Sequence, residues 1–144
     1  MSFTNPHTRR TVLFSAAAIV LLGVLLLIPL KTSPRSLGAR EAYALLRSDS
    51  TIVVLDVRTA EEFRGSTGRL EHALLIPVES LGNRLEELAS YKGRTLLVYC
   101  RSGRRSRNAA ALLERQGFNA INLDGGILEW NSCGFPVIHE KERS

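Results

Sequence analysis

The residues of this chain best suited to chemistry are Cys100-Arg101-Ser102-Gly103-Arg104-Arg105-Ser106, a thiol followed at once by arginines, serines and a glycine. The thiol closes the apolar run Leu96–Tyr99, which suits a buried parallel strand, and Arg104–Gln116 continues with apolar residues at helical spacing. A sulfur at the carboxyl end of a strand and the start of a helix meets unpaired backbone N–H groups and positive charge, and both stabilise its anion. A cysteine that merely fills core space gains nothing from such neighbours. Cys100 is therefore the expected nucleophile. Arg101, Ser102, Gly103, Arg104, Arg105 and Ser106 form the expected binding loop for an anionic substrate.

Other residues fall around this centre. Asp56 ends the apolar run Ile52–Leu55, so it too is expected at a strand's carboxyl end, where it would accept hydrogen bonds from loop amides or pair with an arginine. Arg58 and Glu62 are expected to form a structural pair beside it. Gly125-Gly126 follows the run Ala120–Leu123, and its missing side chains would let backbone approach the pocket. Cys133 is expected to be structural, because a helix rising about 1.5 Å per residue after Gly126 carries it beyond disulfide reach. His7, His72 and His139 are scattered and share no ligand spacing with the cysteines, so no metal site is expected, and His72 reads as a surface loop residue.

The elements that must position these groups alternate along the chain. Helices are expected at Ala39–Arg47, Ala60–Phe63, Leu81–Ala89, Arg104–Gln116 and Ile127–Asn131, and strands at Ile52–Leu55, Leu74–Ile76, Leu96–Tyr99 and Ala120–Leu123. This succession implies an α/β domain with an open, mostly parallel sheet covered by helices on both faces. The net charge is +5 over 144 residues, yet Glu61-Glu62 and Glu86-Glu87 intersperse the positive residues and no aromatic-basic stripe is present. Nucleic-acid binding is thereby a poor explanation of the charge.

Residues 1–10 read as a short basic tail and 11–30 as one transmembrane helix, because Thr11 to Leu30 is uncharged, apolar and flanked by Arg9-Arg10 and Lys31. A signal peptide is the alternative for this segment. Its only passable cleavage site, Ser36-Leu37-Gly38, would remove the expected N-cap of the first domain helix. A linker at 31–35, a catalytic domain at 36–139 and a tail at 140–144 complete the plan. Arg9-Arg10 favours a cytoplasmic N-terminus and a domain on the extracytoplasmic (periplasmic) face, while Lys31, Arg35 and Arg40 pull the other way.

The loop CRSGRRS closely resembles the active-site loop of rhodanese domains, the sulfurtransferases that carry sulfur as a cysteine persulfide. Asp56-Val57-Arg58 with Glu62-Phe63, Ala73 with Ile76-Pro77, and Leu123-Asp124-Gly125-Gly126 with Trp130, Gly134 and Pro136-Val137 resemble three further segments of that family in the same order. The resemblance implies a rhodanese-like fold and no cofactor beyond the covalent persulfide on Cys100. It also implies a small anionic donor, thiosulfate-like or a persulfide, and a thiol or cyanide as acceptor. With the anchor, the membrane becomes a partner and the acceptor a small-molecule or protein thiol. Asp56, Arg58, Gly125 and Gly126 take supporting roles.

Related phosphatases and arsenate reductases have an H-C-x5-R loop. Cys100 to Arg105 is C-x4-R, preceded by Tyr99, and the shorter loop suits one added sulfur atom better than a tetrahedral oxyanion. The family's G-H-I-x-G segment is replaced by Gly68-Arg69-Leu70-Glu71-His72, with two extra residues within Arg64-Gly65-Ser66-Thr67, which bears on acceptor choice. A rhodanese-like binding, carrier or sensor module without turnover is the alternative to an enzyme.

Overall fold

The computed structural model describes residues 33–140. The sheet has five parallel strands, β1 (Arg35–Leu37), β2 (Val53–Asp56), β3 (Leu74–Leu75), β4 (Thr95–Tyr99) and β5 (Asn119–Leu123), in the spatial order β1-β5-β4-β2-β3, all but β1 drawn from short apolar runs. β4 is central. Val98 pairs with Leu55 on one side and Asn122 on the other, and β4 is buried beyond its first residue. A strand buried on both faces reads as continuous apolar sequence, which is why Leu96–Tyr99 shows no alternation.

Helices cover both faces. On one side α3 (Val78–Leu81), a 3-10 helix (Leu85–Tyr91) and α4 (Arg104–Arg115) send Leu81, Leu88, Ala109, Ala110 and Leu113 onto Val53, Leu55, Leu96, Val98 and Ala120. On the other, α1 (Ala39–Ser48) and α5 (Gly126–Ser132) send Ala39, Ala42, Ile127 and Trp130 onto Val54, Leu97, Tyr99, Ile121 and Leu123. A short helix, α2 (Ala60–Arg64), follows β2; Thr59 Oγ1 accepts the Glu62 N–H and the Glu62 carboxylate accepts the Thr59 N–H, a reciprocal cap.

The connections after β4 and β5 therefore leave to opposite faces. In an open parallel sheet that divergence leaves a crevice between the two carboxyl ends, the usual place for a ligand. Cys100 lies at one lip and Gly125-Gly126 at the other.

Two expectations are corrected. Arg35, placed in a linker, opens strand β1, which pairs with Ile121–Leu123 of β5. The α1 N-cap is Gly38, inside the Ser36-Leu37-Gly38 segment as expected, and its N–H donates to Glu41 Oε2 at 3.1 Å. The helix expected at Leu81–Ala89 is two pieces, because Gly82-Asn83 interrupts it; Leu81, Leu85 and Leu88 still reach the core at helical spacing. Among the described residues no helix is long and apolar enough to cross a membrane. The span and the alternative signal peptide expected at 11–30, with the tail beyond residue 140, lie outside the described residues.

Candidate active site

Cys100 follows the last residue of β4 and is 1% exposed. Its surroundings are built by the backbone of the loop. The Cys100 carbonyl accepts the Ile127 N–H at 2.9 Å and the Arg101 carbonyl accepts the Leu128 N–H at 3.2 Å, so the first turn of α5 draws both oxygens away from the sulfur. A trans peptide points its N–H opposite its oxygen, so the Arg101 and Ser102 N–H groups face the other way, into the loop. The Gly103 N–H donates to Cys100 Sγ at 3.2 Å, and Ser106 Oγ lies 3.4 Å from the same sulfur. Burial pushes the Cys100 thiol up, but the Ser106 hydroxyl and the N–H groups of Ser106, Ser102 and Gly103 outweigh it, and the thiol ends below its ordinary range.

Two glycines make this loop possible. Gly103 adopts φ +86°, and a Cβ there would stand 2.9 Å from Gly125 N and 3.1 Å from Leu123 O, so the loop lies directly on the backbone after β5. Gly126 adopts φ +60°; a Cβ there would overlap the Cys100 carbonyl and stand 2.6 Å from Arg101 O. The glycines after β5 thus admit the loop's own carbonyls to α5, which is a more specific role than general closeness to the pocket.

The three loop arginines separate. Arg101 and Arg104 are exposed at the rim together with Ser102. Arg105 is clasped from across the site by Glu62, with Nη1 to Oε2 at 2.8 Å and Nη2 to Oε1 at 2.7 Å. The Arg105 hydrogen bonds hold the Glu62 carboxyl at about 2. Glu62 therefore pairs with Arg105, and the expected Arg58–Glu62 pair does not form. Arg105 acts first as a brace between α2 and α4, while a cation near the sulfur remains part of its effect, since the Cys100 charge in turn favours its protonated form.

Arg58 instead closes on Asp56. Both are buried, and the carboxylate accepts from Arg58 N, Nε and Nη2 at 2.6–3.0 Å. Nη1 also donates to Thr67 Oγ1 and Nη2 to Gly68 O, both at 2.9 Å, in or beside the lengthened loop, and the group stacks 5.3 Å from the Tyr99 ring centroid. The Tyr99 hydroxyl accepts the Leu70 N–H at 3.2 Å, and burial together with the Asp56 charge raises its pKa. Asp56 and Arg58 are thus a structural clamp behind the site that fixes the Thr67–Leu70 segment.

Asn122 was not anticipated. It is fully buried on β5, within 2.7 Å of Ser106 Oγ, and its sequence signal is the single amide inside the apolar run Ala120–Leu123. Cys133 is a free thiol partly buried against the α1–α5 core, and the His72 side chain is exposed beside Glu71. Among the described residues no cluster of three or more histidine, cysteine or acidic side chains could hold a metal ion.

The family model of the Rhodanese-like domain matches residues 38–133. A sulfurtransferase of Allochromatium vinosum is 35% identical over 94 residues, covering 65% of this chain and 84% of that protein. A tRNA uridine(34) hydroxylase of Enterobacter is 33% identical over 110 residues, covering 70% of this chain but 31% of that protein. A crystal structure of a rhodanese-related protein from Thermoplasma volcanium superposes with a TM-score of 0.66 at 30% identity, covering 74% of this chain and 99% of that one.

Proposed function

This chain belongs to the rhodanese-like domain family, and from that premise we propose that it is a sulfurtransferase that carries one sulfane sulfur on Cys100. The observation that carries the reading is the Cys100 sulfur held at the end of β4 with N–H groups toward it and the loop carbonyls turned away into α5. In the first half-reaction the Cys100 thiolate attacks the outer sulfur of a thiosulfate-like donor. An S–S bond forms on Sγ, the donor's S–S bond breaks, and sulfite leaves with the electron pair. In the second, an acceptor thiolate or cyanide attacks the outer sulfur, and the pair of the broken bond returns to Cys100.

No external oxidant is required. A thiol held below its ordinary range serves both steps, as attacking thiolate and as leaving group. Arg101 and Arg104, exposed at the rim, supply the charge that draws an anionic donor inward.

The reading extends to the N-terminal segment. The uncharged run 11–30 serves as a single-pass anchor, with the domain on the extracytoplasmic face and a thiol near the bilayer as acceptor; the support is the sequence of that run and its basic flanks. Cleavage at Ser36-Leu37-Gly38 would remove all of β1 together with the Gly38 N-cap of α1, which favours retention of the segment over removal.

The test uses the full chain in membranes. After incubation with thiosulfate the Cys100 peptide gains the mass of one sulfur atom, an added thiol removes it catalytically, and Cys100→Ser abolishes both. Arg101→Ala with Arg104→Ala raises the donor KM and leaves kcat little changed. Loading without catalytic discharge would make the chain a sulfur carrier and would overturn the transferase reading.

A further inference from the structure

Asn122 lies on the sheet face otherwise lined by Leu96, Val98 and Ala120. A primary amide in such a place is costly unless its donors and acceptor are matched. Its partners form a single file. Ser106 Oγ is 2.7 Å from Asn122 Oδ1 and 3.4 Å from Cys100 Sγ, and Asn122 Nδ2 is 3.2 Å from Ser36 Oγ. The file begins at an exposed serine on edge strand β1, crosses β5, reaches the first turn of α4 and ends on the sulfur.

Ser106 has one hydroxyl proton and two neighbours that could take it. With Oδ1 toward Ser106, the hydroxyl donates to Asn122, and Ser106 Oγ is left to accept the S–H of a neutral thiol. With the amide turned over, Nδ2 donates to Ser106, Ser36 donates to Oδ1, and the Ser106 proton turns to the sulfur, which as a thiolate can only accept. Either direction gives every side chain along the file a hydrogen-bond partner. They differ in the charge on sulfur that they suit.

We propose that Asn122 is a positioning residue for Cys100: acting through Ser106, it sets the direction of a four-residue hydrogen-bond file, one direction matching the thiol and the other the thiolate. No proton travels along the file. The hydroxyls rotate, the amide turns over, and the thiol proton leaves to solvent. The inference rests on the sulfur-carrier reading, in which Sγ is anionic twice per cycle, as nucleophile and again as leaving group. The fixed charges around Cys100 do not depend on the file. Arg105 of α4 is clasped by Glu62 of α2, Asp56 of β2 is closed on Arg58, and Arg101 and Arg104 are exposed.

The experiment titrates the thiolate by its ultraviolet absorbance in the full chain carrying Cys133→Ser, so that one thiol reports. Without Asn122, no amide N–H donates to Ser106 Oγ to hold the hydroxyl proton on sulfur, and the orientation that suits the thiolate loses its support. Asn122→Leu and Ser106→Ala are each expected to raise the Cys100 midpoint by about one pH unit. The double variant is expected to titrate like Ser106→Ala alone, since Asn122 acts only through that hydroxyl. Ser36→Ala, at an exposed position that leaves the core intact, is expected to give a smaller rise that vanishes in the Ser106→Ala background.

An unmoved midpoint in Asn122→Leu, or shifts that add in the double variant, overturns the file; if Asn122→Leu does not fold, an unmoved midpoint in Ser36→Ala does so. The same preparations are loaded with thiosulfate as a separate readout. Coupled midpoints in a protein that takes up no sulfur would uphold the file and remove the sulfur-transfer reading instead.

Discussion

Gly126→Ala is the most direct perturbation of the arrangement that turns amides toward the sulfur. The added methyl overlaps the Cys100 carbonyl and stands 2.6 Å from Arg101 O, where ordinary van der Waals contact begins at 3.4 Å. The loop backbone or the start of α5 must therefore retreat by nearly an ångström. Moving either one breaks or lengthens the Ile127–Cys100 and Leu128–Arg101 hydrogen bonds, each contributing about 1 kcal/mol. Holding alanine at a φ of +60° costs about 1–2 kcal/mol more. The domain should lose about 2–4 kcal/mol in urea unfolding. Displacing a reacting atom on the order of 1 Å should lower kcat/KM for thiosulfate by about 100-fold in the folded variant.

Gly82→Ala is the control, because it is right-handed helical at φ −59° and its Cβ would meet nothing within 4 Å. Single-turnover loading of Cys100, followed by mass, separates the chemical defect from the loss of stability. Loading of Gly126→Ala at the rate of the unmodified protein would refute the claim that α5 holds the loop carbonyls away from the sulfur.

Asp56→Asn leaves a guanidinium that is 1% exposed without its counter-charge and should cost about 3–5 kcal/mol, measured by urea unfolding. Asp56→Leu combined with Arg58→Met should recover most of that, and a single-variant cost below about 1 kcal/mol would show that the clamp is dispensable. The Glu62 carboxyl is held at about 2 against an ordinary 4.5, so its pair with Arg105 contributes fully above 4.5 and is lost as pH falls through about 2. Glu62→Gln should accordingly reduce stability by about 1 kcal/mol at neutral pH. That difference from the unmodified protein should shrink between those two pH values, and a constant difference across the window would remove the ion pair as its cause.

The surroundings of Cys100 were legible in the sequence because they are local: Cys100, the amides of Ser102 and Gly103 and the hydroxyl of Ser106 lie within seven consecutive residues. What was not legible depends on contacts distant along the chain. Glu62 reaches Arg105 across 43 positions, and nothing in either segment distinguishes that partner from the nearer Arg58. Arg58 found Asp56 two residues back, because both side chains are buried at the end of β2 with Thr67 and Gly68 closing over them. β1 escaped because three largely exposed residues carry no periodicity, and its pairing with β5 supplies the structure. The 78–91 segment kept its apolar spacing while Gly82-Asn83 broke its backbone, so its contacts were readable and its helix type was not.

The narrow margins of the sheet have a consequence for how this chain survives its own folding. Parallel pairing joins segments far apart in sequence and is completed slowly, which leaves ladders open to other molecules in the meantime. Here the flanking strands span only two residues at Leu74–Leu75 and three at Arg35–Leu37. A neighbouring molecule adding itself at either margin would gain too few backbone bonds to stay, so brevity at the borders guards the long central ladder against aggregation.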